Sequence, residues 1–172
     1  MIRRVRLKLT LEYDGSGFRG WAAQPGLRTV EGELRSALDR VYSSWDGLAV
    51  AGRTDAGVHA LGQVASVQAE GGPPPDRVAE AAPDFHARHS ARARSYRYRL
   101  FRRRTPSAFE ARRSWWYPRP LERDQLDEAA ALLQGEHDFR AFTPTDREHE
   151  VTRRAVMAAR WVDSGEALEF EI

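Results

Sequence analysis

The 172-residue sequence contains no cysteine. That absence excludes a disulfide framework, an iron–sulfur cluster, a thiolate zinc site and a cysteine nucleophile together. Chemistry must therefore come from oxygen and nitrogen groups. Lysine is nearly absent as well: Lys8 stands alone, so the positive charge is almost wholly arginine. Arginine suits bidentate phosphate contacts and stacking on bases, and it equally fits a biased base composition of the gene. No apolar run is long enough for a signal peptide or a membrane span, and Met1–Leu11 mixes Arg3, Arg4, Arg6 and Lys8 with aliphatics. A cytoplasmic protein with no membrane partner is the expectation. Net charge is small too, since 27 basic and 25 acidic side chains leave only +2, so the distribution of charge carries more information than its sum.

What is present is periodicity. Val5, Leu7, Leu9 and Leu11 alternate with Arg6, Lys8 and Thr10, the pattern of a half-buried strand. A turn-rich Asp14–Gly17 follows. Thr29 is placed to N-cap a helix whose apolar side is Val30, Leu34, Leu38 and Val41, with Glu31 and Glu33 in its first turn. Leu48–Ala51 and Val64–Val67 read as short strands flanking a glycine-punctuated loop, Gly52–Gly62. Gly71, Gly72, Pro73, Pro74 and Pro75 hold neither helix nor central strand, which makes 71–84 a connector between halves at 1–70 and 85–172. In the second half, Ser95–Phe101 alternates Tyr96, Tyr98 and Leu100 against Arg97 and Arg99. A helix is expected over Glu122–Gln134, with Leu126, Ala129, Ala130 and Leu133 inward and Gly135 ending it. Ala155–Val162 and Leu168–Ile172 read as strands joined by a turn over Asp163, Ser164 and Gly165. The chain stops inside that alternation, so a continuation is expected. The order of elements is that of an α+β protein whose second half repeats the ingredients of its first.

Two segments carry chemistry. In GRTDAGVHALGQV, Gly52–Val64, the glycines permit sharp turns, and Arg53 and Asp55 stand two residues apart. In an extended segment such residues point to one side, so a guanidinium and a carboxylate share a cleft. One reading is a surface ion pair, worth less than about 1 kcal/mol. The other is a carboxylate acting as nucleophile, general base or metal ligand, held ionised by the adjacent arginine. A metal is disfavoured, because His59 has no companion cluster at ligand spacing. No GxSxG elbow, Walker loop or Rossmann fingerprint is present.

The second segment, Phe85–Phe109, has no acidic residue and interleaves ten histidines and arginines with Phe85, Tyr96, Tyr98 and Phe101. Basic side chains neutralise phosphates and aromatic faces stack on unpaired bases, as in the binding of looped RNA. The alternative is a solvated basic face over a strand whose tyrosines are core. With a net charge of only +2, acidic residues elsewhere must offset the stripe and polarise the molecule.

LEYDGSGFRGWAAQPGLRTVEGEL (Leu11–Leu34), GRTDAGVHA (Gly52–Ala60), FHARHSARARSYRYRL (Phe85–Leu100) and GEHDFRAF (Gly135–Phe142) closely resemble the tRNA pseudouridine synthase A family. The likeness runs from Leu9 to about Trp161. It implies a pseudouridine synthase fold, α+β, with two pseudo-repeated antiparallel sheet-and-helix halves around a central basic cleft. It further implies a homodimer that converts uridine to pseudouridine in the anticodon stem-loop of tRNA, just 3′ of the anticodon at tRNA positions 38–40, with no cofactor and no catalytic metal. Asp55 matches the family's catalytic aspartate, which either attacks the sugar carbon as nucleophile or removes a ribose proton. Arg53 matches the position that assists base flipping or holds a phosphate. Tyr96 matches the tyrosine that packs against the target base, and Tyr98 would support it. Phe85, His86, Ala87, Arg88 and His89 fall where the family contacts tRNA, and the loop Thr143–Arg154 is expected to touch the stem. Two departures stand out. EGGPPPDRVAEAAPD, Glu70–Asp84, occupies the place of a longer family segment with a helix and a strand. The family also continues past the final strand into a helix with a Met-Val-Arg-like motif, whose basic residue pairs with the catalytic carboxylate. The rival expectation is accordingly an RNA-binding fragment of the family that lacks turnover.

Overall fold

The computed structural model of the protein describes residues 4–74, 80–142 and 152–172. The central part of the expected connector and most of the Thr143–Arg154 loop lie outside the described residues. Two compact units divide after Arg94, as Met1–Arg94 and Ser95–Ile172.

The first unit runs β1 (Arg4–Tyr13), α1 (Val30–Val41), β2 (Ser44–Val50), β3 (Ala60–Glu70), β4 (Glu80–Ala81) and α2 (Ala87–Ser90). Its sheet has the order β2-β3-β1-β4 with antiparallel neighbours. The alternation read in β1 sets the register: Leu7 faces Val67 and Leu9 faces Ala65. Those residues and Ala69 are buried together with Trp21, from the segment between β1 and α1, and with Val30 and Leu38 of α1. Burying each leucine or valine of this set stabilises by about 1.5–3 kcal/mol. Thr29 caps α1 as its sequence predicts, its hydroxyl accepting from the Gly32 N–H at 3.2 Å. Val41 departs from expectation: it is exposed, while Leu34 and Tyr42, the residue after the helix, pack against the core. Ser66, buried on the opposite face of β3, accepts from the Ala87 N–H at 3.0 Å. The Arg94 guanidinium donates to the Ala51 carbonyl. These two bonds explain why Phe85–Arg94 belongs with the first unit, although the sequence boundary at 85 assigns it to the second half.

The second unit contains β5 (Arg97–Phe101), β6 (Trp115–Trp116), α3 (Arg123–Leu132), β7 (Gly135–Asp138), β8 (Arg153–Val156), β9 (Arg160–Ser164) and β10 (Ala167–Glu171). Its main sheet has the order β6-β5-β10-β9, and β7 pairs only with β8. An all-antiparallel half is corrected here, because β6 runs parallel to β5, Leu100 facing Trp115. The turns over 102–114 carry the chain back along the sheet, the kind of crossover a parallel pair requires. The single strand expected over Ala155–Val162 is two strands, since β8 pairs with β7 and β9 with β10. Of the four α3 side residues read as inward, Ala130 is buried, Leu126 and Leu133 are half-buried and Ala129 is exposed. Gly165 takes the left-handed φ of +64° in the β9–β10 turn, a conformation that favours glycine. The architecture is α+β. Among the described residues no helix is long and apolar enough to cross a membrane.

Candidate functional site

The loop between β2 and β3 is fixed by its backbone. The Trp21 N–H donates to the Thr54 carbonyl at 2.8 Å, and the Gly57 N–H donates to the Phe18 carbonyl at 3.3 Å. Within the loop, the Val58 N–H donates to the Asp55 carbonyl at 3.2 Å. Side chains add two more ties: the Tyr13 and Thr54 hydroxyls lie 2.8 Å apart, and the Gln63 amide donates to the Gly52 carbonyl at 2.7 Å. The strap Asp14–Trp21 approaches the loop so closely at Gly15 and Gly20 that a side chain is disfavoured at those two positions. A Cβ on Gly15 would overlap the Val58 carbonyl, and one on Gly20, whose φ is +90°, would lie 3.0 Å from the Thr54 carbonyl oxygen. Trp21, buried to 2% exposure, anchors the end of the strap in the core.

This rigid backbone presents Asp55 and Arg53 to solvent. Both side chains are exposed, and among the described residues neither forms a side-chain hydrogen bond or ion pair. The surface ion pair suggested by their spacing is therefore not formed, and the carboxylate is left open to an incoming group. His59 lies with its Nδ1 3.3 Å from Asp14 Oδ1. Among the described residues no group of three or more His, Asp or Glu is placed to hold a metal ion. An open cleft of about 460 Å³ is lined by Ser16, Gly17, Phe18 and Arg19 of the strap and by Ala56 and Gly57, the two residues that follow Asp55.

The basic stripe divides between the units. In the first unit Phe85 lies under the Lys8 ammonium, 5.7 Å from its ring centre, and the His86 and His89 rings are 4.5 Å apart. Arg88 and His89 are exposed, whereas Ala87 is fully buried and fixes the turn through Ser66. In the second unit Tyr96 and Tyr98 are 47% and 58% exposed, so the reading of these tyrosines as core is overturned. The Tyr96 backbone is held by reciprocal bonds with Ile172, at 2.7 and 3.0 Å.

The arginines of β5 are countered locally. Arg97 lies 3.2 Å from Glu169 and 2.8 Å from Glu171, and Arg99 lies 2.9 Å from Glu169 and 3.2 Å from Glu110. Arg160 reaches Glu171 at 2.7 Å. Hydrogen bonds from Arg160 and then Arg97 hold the Glu171 carboxyl below the usual glutamate range. A stripe that is one-signed along the sequence is thus partly neutralised across the sheet. The glutamates of β10 alternate with the same period as the arginines of β5, which was the signal for this pairing.

No family model matches the chain. Among curated proteins it is 42% identical to the tRNA pseudouridine synthase A of Bartonella tribocorum over 80% of this chain and 64% of that protein. It is 38% identical to the tRNA pseudouridine synthase A of Moorella thermoacetica, over 96% of this chain and 75% of that protein. For the Bacillus licheniformis protein of the same name the identity is 36%, over 98% and 76%. The chain therefore spans a little under two thirds of the first relative and three quarters of the other two.

Proposed function

The chain belongs to the tRNA pseudouridine synthase A family, and from that membership we propose that it isomerises uridine to pseudouridine in the anticodon stem-loop of tRNA, at positions 38–40. The observation that carries the reading is the open carboxylate of Asp55 on a loop pinned by the strap. The reaction breaks the bond from uracil N1 to the ribose, turns the base, and joins C5 to the same sugar carbon. The C5 proton leaves and N1 gains one, so atoms and electrons balance without an outside reductant or oxidant. A carboxylate that attacks the sugar carbon, or takes a ribose proton, serves either route.

The other roles follow from chemistry and exposure. Arg53, on the same loop and without an ion pair or side-chain hydrogen bond among the described residues, fills the space left by the flipped uridine or holds its phosphate. Tyr96 offers an exposed ring for packing against the base. Phe85, His86, Arg88 and His89 contact the RNA, with Ala87 setting their turn. The pseudo-repeat and central basic cleft of the family fold, a homodimer and a cytoplasmic location belong to the same reading. Light scattering on the purified chain checks the dimer.

The test uses tRNA tritiated at uracil C5, with Asp55→Ala as control. Release by the wild type and not by the variant supports the isomerase. Salt-sensitive binding without release supports the RNA-binding fragment instead. Absence of both sinks the two readings together.

A further inference from the structure

The cleft lined by Ala56 and Gly57 of the Asp55 loop contains a cation that the catalytic assignments leave unused. Of the arginines near the loop and its strap, Arg28 is held by Glu33 at 2.8 Å and lies 4.4 Å from the centre of the Phe18 ring. Arg94 is spent on the Ala51 carbonyl. Arg19 lines the cleft with its guanidinium exposed, and among the described residues it has no ion pair or side-chain hydrogen bond. Its backbone is nevertheless fixed on both sides, by the bond from its own N–H to the Arg28 carbonyl at 2.8 Å and by the neighbouring Gly57–Phe18 bond. The strap thus holds the base of this side chain in place and leaves its charge available.

The opposite wall is suited to close approach. A Cβ on Gly57 would meet nothing within 4 Å, so the space above this backbone is open. Asp14, the acidic residue of the strap, is engaged by the Ser16 N–H at 2.9 Å and by His59 at 3.3 Å. Gly57 is two residues from Asp55, within about 7 Å along the chain, a span comparable with one nucleotide. A guanidinium with five donors takes a tetrahedral anion in bidentate fashion.

We propose that this cleft is a phosphodiester subsite, in which Arg19 is the counter-ion to a backbone phosphate within one nucleotide of the uridine presented to Asp55. The inference rests on the reading of Asp55 as the catalytic group. Arg19 is a positioning residue in this scheme: by fixing the strand it sets where the sugar carbon lies relative to the carboxylate.

The experiment uses anticodon stem-loop RNAs, each with one phosphodiester replaced by an uncharged methylphosphonate. They are titrated against the wild-type chain, Arg19→Ala and Arg19→Lys. One replacement, within a nucleotide of the target uridine, is expected to weaken wild-type binding about tenfold. It leaves Arg19→Ala unaffected and still weakens Arg19→Lys. With unmodified RNA, Arg19→Ala lowers the slope of log affinity against log salt by about 0.7, and Arg19→Lys restores it. If no linkage shows dependence on Arg19, the subsite is overturned. Tritium release on the same RNAs separates this result from the catalytic reading. Release with no Arg19-dependent linkage overturns the subsite alone, and an Arg19-dependent linkage without release overturns the isomerase alone. A wild-type chain that binds none of the RNAs overturns both.

Discussion

In the first unit Trp21, Leu7 and Val67 are exposed by 2% or less, and the loop between β2 and β3 is tied down through its peptide groups. In the second, Tyr98 and Trp115 are 58% and 66% exposed, and charged side chains link β5, β10 and β9 across the sheet. Main-chain bonds around a dry core respond little to salt or acid, whereas partly solvated ion pairs are screened and titrate. The unit that carries Asp55 uses the first kind of support. The surface that bears exposed tyrosines uses the second.

The largest test of this contrast is Trp21→Ala, which removes the aromatic anchor of the strap. It is expected to destabilise the first unit by about 3–5 kcal/mol, measured by hydrogen exchange resolved along the chain, while protection in β5 and β10 is unchanged. A uniform loss in both units would contradict separate support.

A smaller change targets the contact between strap and loop. Gly15→Ala places a methyl group against the Val58 carbonyl, so the loop must shift at a cost of about 1–3 kcal/mol. Tritium release should fall by more than tRNA affinity does. Equal loss of both would mean that the loop's position matters only for binding.

The smallest effect is set by pH. Folding lowers the pKa of Glu171, chiefly through its bonds from Arg160 and Arg97. Its contribution is therefore complete above the ordinary glutamate value and disappears as pH falls through the lower, folded value. Asp138 behaves in the same way, its carboxyl lowered first by the Thr152 hydroxyl. Acid below the ordinary glutamate range should raise exchange in β5, β9 and β10 before it does so in β1 and β3, and Glu171→Gln should remove much of the difference. Simultaneous opening of both units would break the comparison.

Local features were legible in the sequence because they arise from local physics. The period of Val5–Leu11 specified β1, Thr29 specified the start of α1, and the glycine in Asp163–Gly165 marked the β9–β10 turn. The features that escaped depend on partners distant along the chain. Nothing near Trp115 indicates that it lies parallel beside Leu100, and the charge of Arg97 is offset by Glu169 and Glu171 and that of Arg99 in part by Glu169, far along the chain. Exposure of Tyr96 and Tyr98 is of the same kind, since strand periodicity identifies a shared face without saying what covers it. At the candidate site the motif named Arg53 and Asp55, but its spacing suggested an ion pair that the loop's backbone does not form. The use of Gly15 and Gly20 as a close-fitting support became visible only when strap and loop were seen together.

In the proposed reaction Asp55 is a carboxylate that performs chemistry without being needed for RNA binding or for the loop's shape. The direct measurement is single-turnover tritium release from C5-labelled anticodon stem-loop RNA by the wild type and by Asp55→Asn, with both proteins saturated with RNA. The prediction is release by the wild type, none above background by Asp55→Asn, and RNA affinities within about twofold of each other. Release by Asp55→Asn at the wild-type rate would contradict the central claim.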